Sequence, residues 1–167
     1  MFGLFKKKKQ ENQETSALNL VAICDGKVMP LSEVPDPVFS QKMAGDGVAI
    51  EPTSDVIVAP ADGELSLVFN TKHAFAMTLE NGIELLVHVG LETVSLNGEG
   101  FEQLAEAGQK IKAGTPILKI DRDFIKSKGL PLITPILITN PDSTKSITGK
   151  EGTDAKAGST VVLEYSL

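Results

Sequence analysis

The chain has 167 residues, a formal net charge of −6 and a pI near 4.9, with 16 Lys plus Arg against 22 Asp plus Glu. That length supports one domain with a real core, and the acidic balance, with Arg122 as the only arginine, argues against nucleic acid as a partner, since its phosphates are gripped by Lys/Arg clusters. Cys24 stands alone, so no intramolecular disulfide forms and a reducing, cytoplasmic setting is expected; no run approaches the roughly twenty apolar residues of a membrane span.

Residues 1–17, MFGLFKKKKQENQETSA, open with three large apolar side chains, continue with Lys6 to Lys9 and then turn polar without period. With no apolar stretch after the lysines this is not a secretory signal. The expectation is a flexible lysine-rich tail capable of weak peripheral contact with an anionic membrane through Phe2, Leu4 and Phe5 and the four lysines. A domain is expected over 18–167.

From Leu18 onward Gly, Pro, Asn and Asp recur every eight to twelve residues. Between them lie short β-rich runs: LNLVAI, GKVMPL, GVAIEP, VIVAP, ELSLVF, HAFAMTL, IELLVHV, QKIKA, PILKI, PILIT and TVVLEY. This reads as an all-β chain, an antiparallel β-sandwich or barrel with Greek-key or jellyroll-like connections. One or two helical turns are expected. The first spans Phe101 to Ala107, with Phe101, Leu104 and Ala105 on one side before Gly108; the second spans Asp121 to Lys128, stopped by Gly129.

The chain's two histidines, His73 and His88, both sit in strand-like sequence. Alternation places Ile83, Leu85, Val87 and Val89 on one face and Glu84, Leu86 and His88 on the other, and sets His73 with Phe75 and Met77. Asn81-Gly82 signals a hairpin between the two runs. A turn centred there sets position 73 opposite position 90, within diagonal reach of His88, so the two imidazoles meet on one face. A neutral imidazole offers one lone pair and one N–H, and apolar surroundings keep it neutral. One ring can then attack phosphorus while the other donates to the phosphoryl oxygens. A zinc site usually takes three or four ligands, so the two histidines alone are a poor cage.

The segment Gly82 to Val94, GIELLVHVGLETV, resembles the active-site signature of the glucose-type enzyme IIA components of the bacterial phosphoenolpyruvate-dependent sugar phosphotransferase system. The resemblance extends through VPDPVFSQKMAGDGVAIEPTS, VAPADGELSLVFNTKHAFAM, GEGFEQLAEAGQKIKAGTPIL and TPILITN. It implies a small antiparallel β-sandwich that takes a phosphoryl group from the histidine phosphocarrier protein and hands it to a IIB domain of a sugar permease, acting as a monomer and without a required cofactor. The alternative reading is a regulatory binding module for proteins of sugar uptake and metabolism, in which phosphate on His88 changes the charge of the face and decides which target protein docks. His88 matches the residue phosphorylated at Nε2, with Nδ1 held by the backbone carbonyl of Gly90. His73 matches the supporting imidazole and Thr71 the threonine that orients it. Val38, Phe39, Met43, Ala44, Phe69 and Leu86 match an apolar partner-binding rim, and Asp36 and Glu92 match acidic positions that meet an arginine of the phosphocarrier. Pro37, Ala44 and Leu86 depart from the bulkier or aromatic residues often found in relatives. Asp142 matches a further acidic position near the site, and zinc shared between His73, His88 and a partner's carboxylate is a further implication.

Overall fold

The structure, a computed structural model, describes residues 18–167. The expected lysine-rich tail therefore lies outside the described residues. Fourteen strands appear in chain order: β1 (Leu18–Val21), β2 (Gly26–Pro30), β3 (Asp46–Pro52), β4 (Val56–Val58), β5 (Gly63–Val68), β6 (Ala74–Thr78), β7 (Glu84–His88), β8 (Phe101–Gln103), β9 (Lys110–Ile111), β10 (Pro116–Ile120), β11 (Thr134–Ile138), β12 (Ser146–Gly149), β13 (Asp154–Ala155) and β14 (Val161–Ser166). Two short α-helices, α1 (Pro37–Ser40) and α2 (Arg122–Ser127), and three 3₁₀ turns complete the described part.

Every strand pairing is antiparallel. One eight-stranded sheet runs β13-β2-β3-β11-β7-β6-β5-β9, and two three-stranded sheets run β1-β14-β12 and β4-β10-β8. The non-consecutive order β3-β11-β7 is the crossover signature of Greek-key wiring. The β-sandwich expectation holds. One core fills the space between the sheets: β7 contributes Leu85 and Val87, β6 contributes Phe75 and Met77, and β10 and β14 contribute Ile117, Leu118, Val162 and Leu163. A second cluster of Leu31, Val34, Phe39, Ala49, Leu91 and Leu137 covers the outer face of the large sheet under α1. β11 lies between the two cores, with Ile136 and Ile138 in one and Leu137 in the other. A strand buried on both faces needs a continuous apolar run, which is what ITPILI provides.

Two expectations need correction. Phe101 to Ala107 is not a helix: Phe101, Glu102 and Gln103 pair with Ile120, Lys119 and Leu118 of β10. Leu104, placed on the buried side by the helical reading, is 44% exposed. Open sheet edge on β10 supplied hydrogen-bond partners that outweighed a local helical period only two turns long. The second correction concerns register. A two-residue turn on Asn81-Gly82 pairs 73 with 90, whereas the ladder pairs Ala74 with His88 and Thr78 with Glu84. The loop has three residues, closed by Leu79 N to Ile83 O and Gly82 N to Leu79 O, with Gly82 at φ +90°. A one-residue longer loop shifts the register by one.

Candidate functional site

β7 carries His88 on the outer face of the sheet, beside Leu86, as alternation predicts. The ladder between β7 and β11 runs Leu85–Ile138, Leu86–Leu137 and Val87–Ile136 and stops there. The next residue along β11, Pro135, has no N–H to donate, so the sheet opens where His88 sits. Just beyond, Gly90 turns the chain at φ +73°. A Cβ at this position would lie 2.7 Å from Thr93 Cγ2 and 2.8 Å from Pro131 O, so only glycine fits. Buried threonines hold the turn: Thr93 Oγ1 donates to Val89 O at 2.6 Å, and Thr134 Oγ1 accepts from Gly90 N at 3.3 Å. The sequence reading does not single out these two hydroxyls: Thr134 signals itself as a polar side chain inside the apolar stretch LPLITPILI, whereas Thr93, between Glu92 and Val94, carries no such signal.

The Gly90 carbonyl lies 2.8 Å from His88 Nδ1. A carbonyl only accepts, so Nδ1 carries the proton and the lone pair of the neutral ring is on Nε2.

His73 reaches His88 by a different route from the one alternation suggested. Strict alternation from Phe75 and Met77, both in the inner core, would bury His73 on the far face of the sheet. His73 instead precedes β6, in the β5–β6 loop closed by Phe69 N to Ala74 O and Lys72 N to Phe69 O. Lys72 adopts φ +57°, which releases the following residue from the pleat. The His73 ring is 3% exposed and its centroid lies 4.8 Å from that of His88, the planes at 83°. Thr71 Oγ1 lies 2.7 Å from His73 Nδ1. The convergence holds, and the loop rather than the strand produces it.

Phenyl rings flank the pair. Phe39 lies 5.2 Å from His88, and Phe69 meets His73 edge-on at 5.4 Å. Burial pushes the His73 pKa down from 6.5 to about 4, and the neighbouring His88 charge adds to that. His88 is also lowered by burial, partly offset by its hydrogen bond to Gly90 O and by the negative charge of Asp36. Both rings are neutral at neutral pH. Asp36 caps α1, its Oδ1 accepting from Val38 N at 3.0 Å, which fixes the carboxylate near His88.

The remaining rim residues divide in two. Val38 and Met43 are 44% and 70% exposed, neighbours through Met43 N to Val38 O, and form an apolar lip. Phe39 is buried, and Ala44 and Leu86 pack against its cluster, so they support the lip from below. Glu92 is exposed in a left-handed turn at φ +59°, and the following 3₁₀ helix displays Val94, 52% exposed and absent from the expected rim. Asp142 is exposed and follows Asn140, whose side chain is bonded to Gly82 O and Glu84 N at the opposite end of β7 from His88. The fold holds Asp142 with the hairpin, away from the two rings.

A family profile described as "phosphoenolpyruvate-dependent sugar phosphotransferase system, EIIA 1" matches residues 18–144. A PTS system glucose-specific EIIA component of Bacillus anthracis is 47% identical over 167 residues, covering 100% of this chain and 97% of the relative. A PTS system glucose-specific EIIBCA component of Corynebacterium glutamicum is 49% identical over 138 residues, which is 83% of this chain and 20% of that longer protein. Among solved structures, glucose permease IIA from Mycoplasma capricolum superposes with a TM-score of 0.83 at 39% identity, covering 89% of this chain and 96% of that one.

Proposed function

The chain belongs to the EIIA 1 family of the phosphoenolpyruvate-dependent sugar phosphotransferase system, and from that premise we propose that it relays a phosphoryl group through His88, from a histidine phosphocarrier protein to a IIB domain of a sugar permease. The observation that carries the reading is the pair of neutral imidazoles 4.8 Å apart at an opening in the sheet, one of them with Nδ1 tied to Gly90 O. His88 Nε2 attacks the phosphorus of the carrier's phosphohistidine. The new N–P bond forms as the carrier's N–P bond breaks, and the departing imidazole keeps the electron pair and takes up a proton. Charge on the transferring group sits on its three peripheral oxygens. The Thr71 hydroxyl donates to His73 Nδ1, which places the His73 proton on Nε2 as a donor to one of those oxygens.

The apolar lip of Val38 and Met43 excludes water from the labile N–P bond during docking, and Asp36 and Glu92 steer a basic partner. A relative named as an EIIBCA component carries a segment similar to this chain inside one longer polypeptide, which supports a IIB domain as receiver. Among the described residues no helix is long and apolar enough to cross a membrane. We propose that the relay works in the cytoplasm as a monomer.

The test is reconstitution with phosphoenolpyruvate and the upstream phosphotransferases, followed by peptide mapping of the label. His88→Gln abolishes uptake. His73→Gln still takes up phosphate but passes it on more slowly by on the order of 100-fold, the usual cost of removing one donor to a transition state. Uptake by His88→Gln with none by His73→Gln would reverse the assignment.

Zinc is a secondary ligand in this reading. Zinc takes the other tautomer of His73, in which Nδ1–H donates to Thr71 Oγ1 and the Nε2 lone pair is free beside that of His88, whose Nδ1–H is held by Gly90 O. Among the described residues no three His, Cys, Asp or Glu side chains converge to hold a metal. Zinc between the rings therefore takes its remaining ligands from a partner's carboxylate and water. Calorimetric titration of the isolated chain is expected to show only weak zinc uptake; tight uptake would overturn this.

A further inference from the structure

The sequence holds two Asn-Gly pairs, Asn81-Gly82 and Asn97-Gly98. A glycine after asparagine leaves the next backbone nitrogen unshielded by a side chain and free to rotate. That nitrogen can attack the carboxamide carbon, which is one reason asparagine ranks among the thermally labile residues.

The fold treats the two pairs in opposite ways. Asn81 is fastened at three points: its Nδ2 donates to Tyr165 Oη at 3.0 Å, its Oδ1 accepts from Ile83 N at 3.1 Å, and Gly82 N donates to Leu79 O at 3.0 Å. Neither the carboxamide nor the attacking nitrogen is free. Asn97 is exposed, and its carboxamide and Gly98 N make no hydrogen bond to protein among the described residues. Asn97 sits in the left-handed region at φ +52°, which asparagine adopts at little cost, and attack by Gly98 N requires the backbone to rotate out of it. Opposing that rotation are the hydrogen bonds from Asn97 N to Val94 O at 3.2 Å and from Glu99 N to Leu96 O at 3.1 Å.

We infer that Asn97 is a site of spontaneous covalent modification, converting to aspartate and isoaspartate in the folded protein, while Asn81 is held intact by its hydrogen bonds. Gly98 N loses its proton to solvent base and bonds to Asn97 Cγ as the Cγ–Nδ2 bond breaks and ammonia leaves. Water then opens the five-membered imide at either carbonyl. The net change is one amide plus one water giving one carboxylate and ammonium.

The position matters because this loop abuts the Thr71 loop: a Cβ on Gly98 would lie 3.9 Å from Thr71 O. Upstream, the same 3₁₀ segment starts at Thr93, which packs on Gly90. The new carboxylate stands beside the loop that presents His73, and the isoaspartate product adds a methylene to the backbone there. The chemistry is independent of the relay assignment; its effect on transfer rests on that assignment.

The experiment incubates the full chain in mildly alkaline buffer at physiological temperature, with parallel samples in guanidinium, and follows both peptides by mass spectrometry and by isoaspartate methyltransferase labelling. In the native protein Asn97 is expected to convert faster than Asn81 by about 10- to 100-fold, the cost of opening two or three hydrogen bonds. In guanidinium the two rates converge. Tyr165→Phe speeds conversion at Asn81, and Asn97→Gln removes the signal at 97. Equal native rates, or an Asn97 that converts only in denaturant, would overturn the inference. Aged protein is expected to take up phosphate more slowly than fresh protein; equal uptake would overturn the effect on transfer while the modification stands.

Discussion

His73 shows how two neighbouring atoms decide what a histidine does. Thr71 Oγ1 holds one ring nitrogen, while burial, with the neighbouring His88 adding to it, pushes the pKa down to about 4. The sign for stability follows from linkage. The unfolded chain binds a proton at His73 below pH 6.5 and the folded chain only below about 4, so stability falls as the pH is lowered across that window. It levels off below it. His88, shifted the same way, adds to the loss. Urea midpoints measured from pH 7.5 to 4 are expected to drop by the equivalent of up to about 3 kcal/mol. His73→Asn should flatten that profile, and a wild-type profile that is flat or rises towards acid would contradict the burial of a neutral ring.

At the scale of the element, α1 is four residues long and its cap does two jobs. Asp36 Oδ1 closes the helix N-terminus through Val38 N, and the same carboxylate raises the pKa of His88. Substitution separates the roles. Asn keeps the capping oxygen without the charge; Ala keeps neither. Asp36→Ala is expected to lose about 1 kcal/mol of stability and Asp36→Asn much less, measured by thermal or urea unfolding. Both variants should slow phosphoryl uptake at low ionic strength, with the difference from wild type shrinking as salt is added. A salt-independent defect would mean that Asp36 acts by shape alone. The β6–β7 hairpin shows the complementary point. One additional loop residue moved the register by one, yet the histidines still met: the His73 carbonyl still accepts from Val89 N at 2.7 Å, but the residue precedes β6 and follows Lys72 at φ +57°, so its ring does not follow the alternation of the strand.

The whole molecule separates the site from the chain ends. β1 pairs with β14, Leu18 opposite Tyr165, and Tyr165 Oη is bonded to Asn81 at the tip of the β6–β7 hairpin. His88 lies at the other end of β7, five residues from Ile83 and so about 16 Å along the strand. The same core seals Cys24, which is fully buried; desolvation and the adjacent Asp25 push its thiol up to about 12, with Arg122 opposing slightly. A disulfide-exchange reagent is expected to react with native protein only at the rate of global unfolding, and to react at once in denaturant. Rapid labelling of the folded chain would show that the core opens locally.

Periodicity alone determined much of this protein. Alternation through ELLVH set His88 and Leu86 outward and Leu85 and Val87 inward, because burial on one face of a pleat demands a period of two, and every β-rich run contains a strand. Resemblance of GIELLVHVGLETV to a known signature singled out Gly90, and its extension through VAPADGELSLVFNTKHAFAM and VPDPVFSQKMAGDGVAIEPTS singled out Thr71 and most of the rim. What the sequence left undecided depended on partners distant in the chain. Phe101–Gln103 became a strand because β10 offered an edge, and Asp142 stayed with the hairpin because Asn140 is bonded there. The approach of His73 to His88 also awaited tertiary structure: a loop free of the pleat can turn a ring towards either face, and only the surrounding contacts select one.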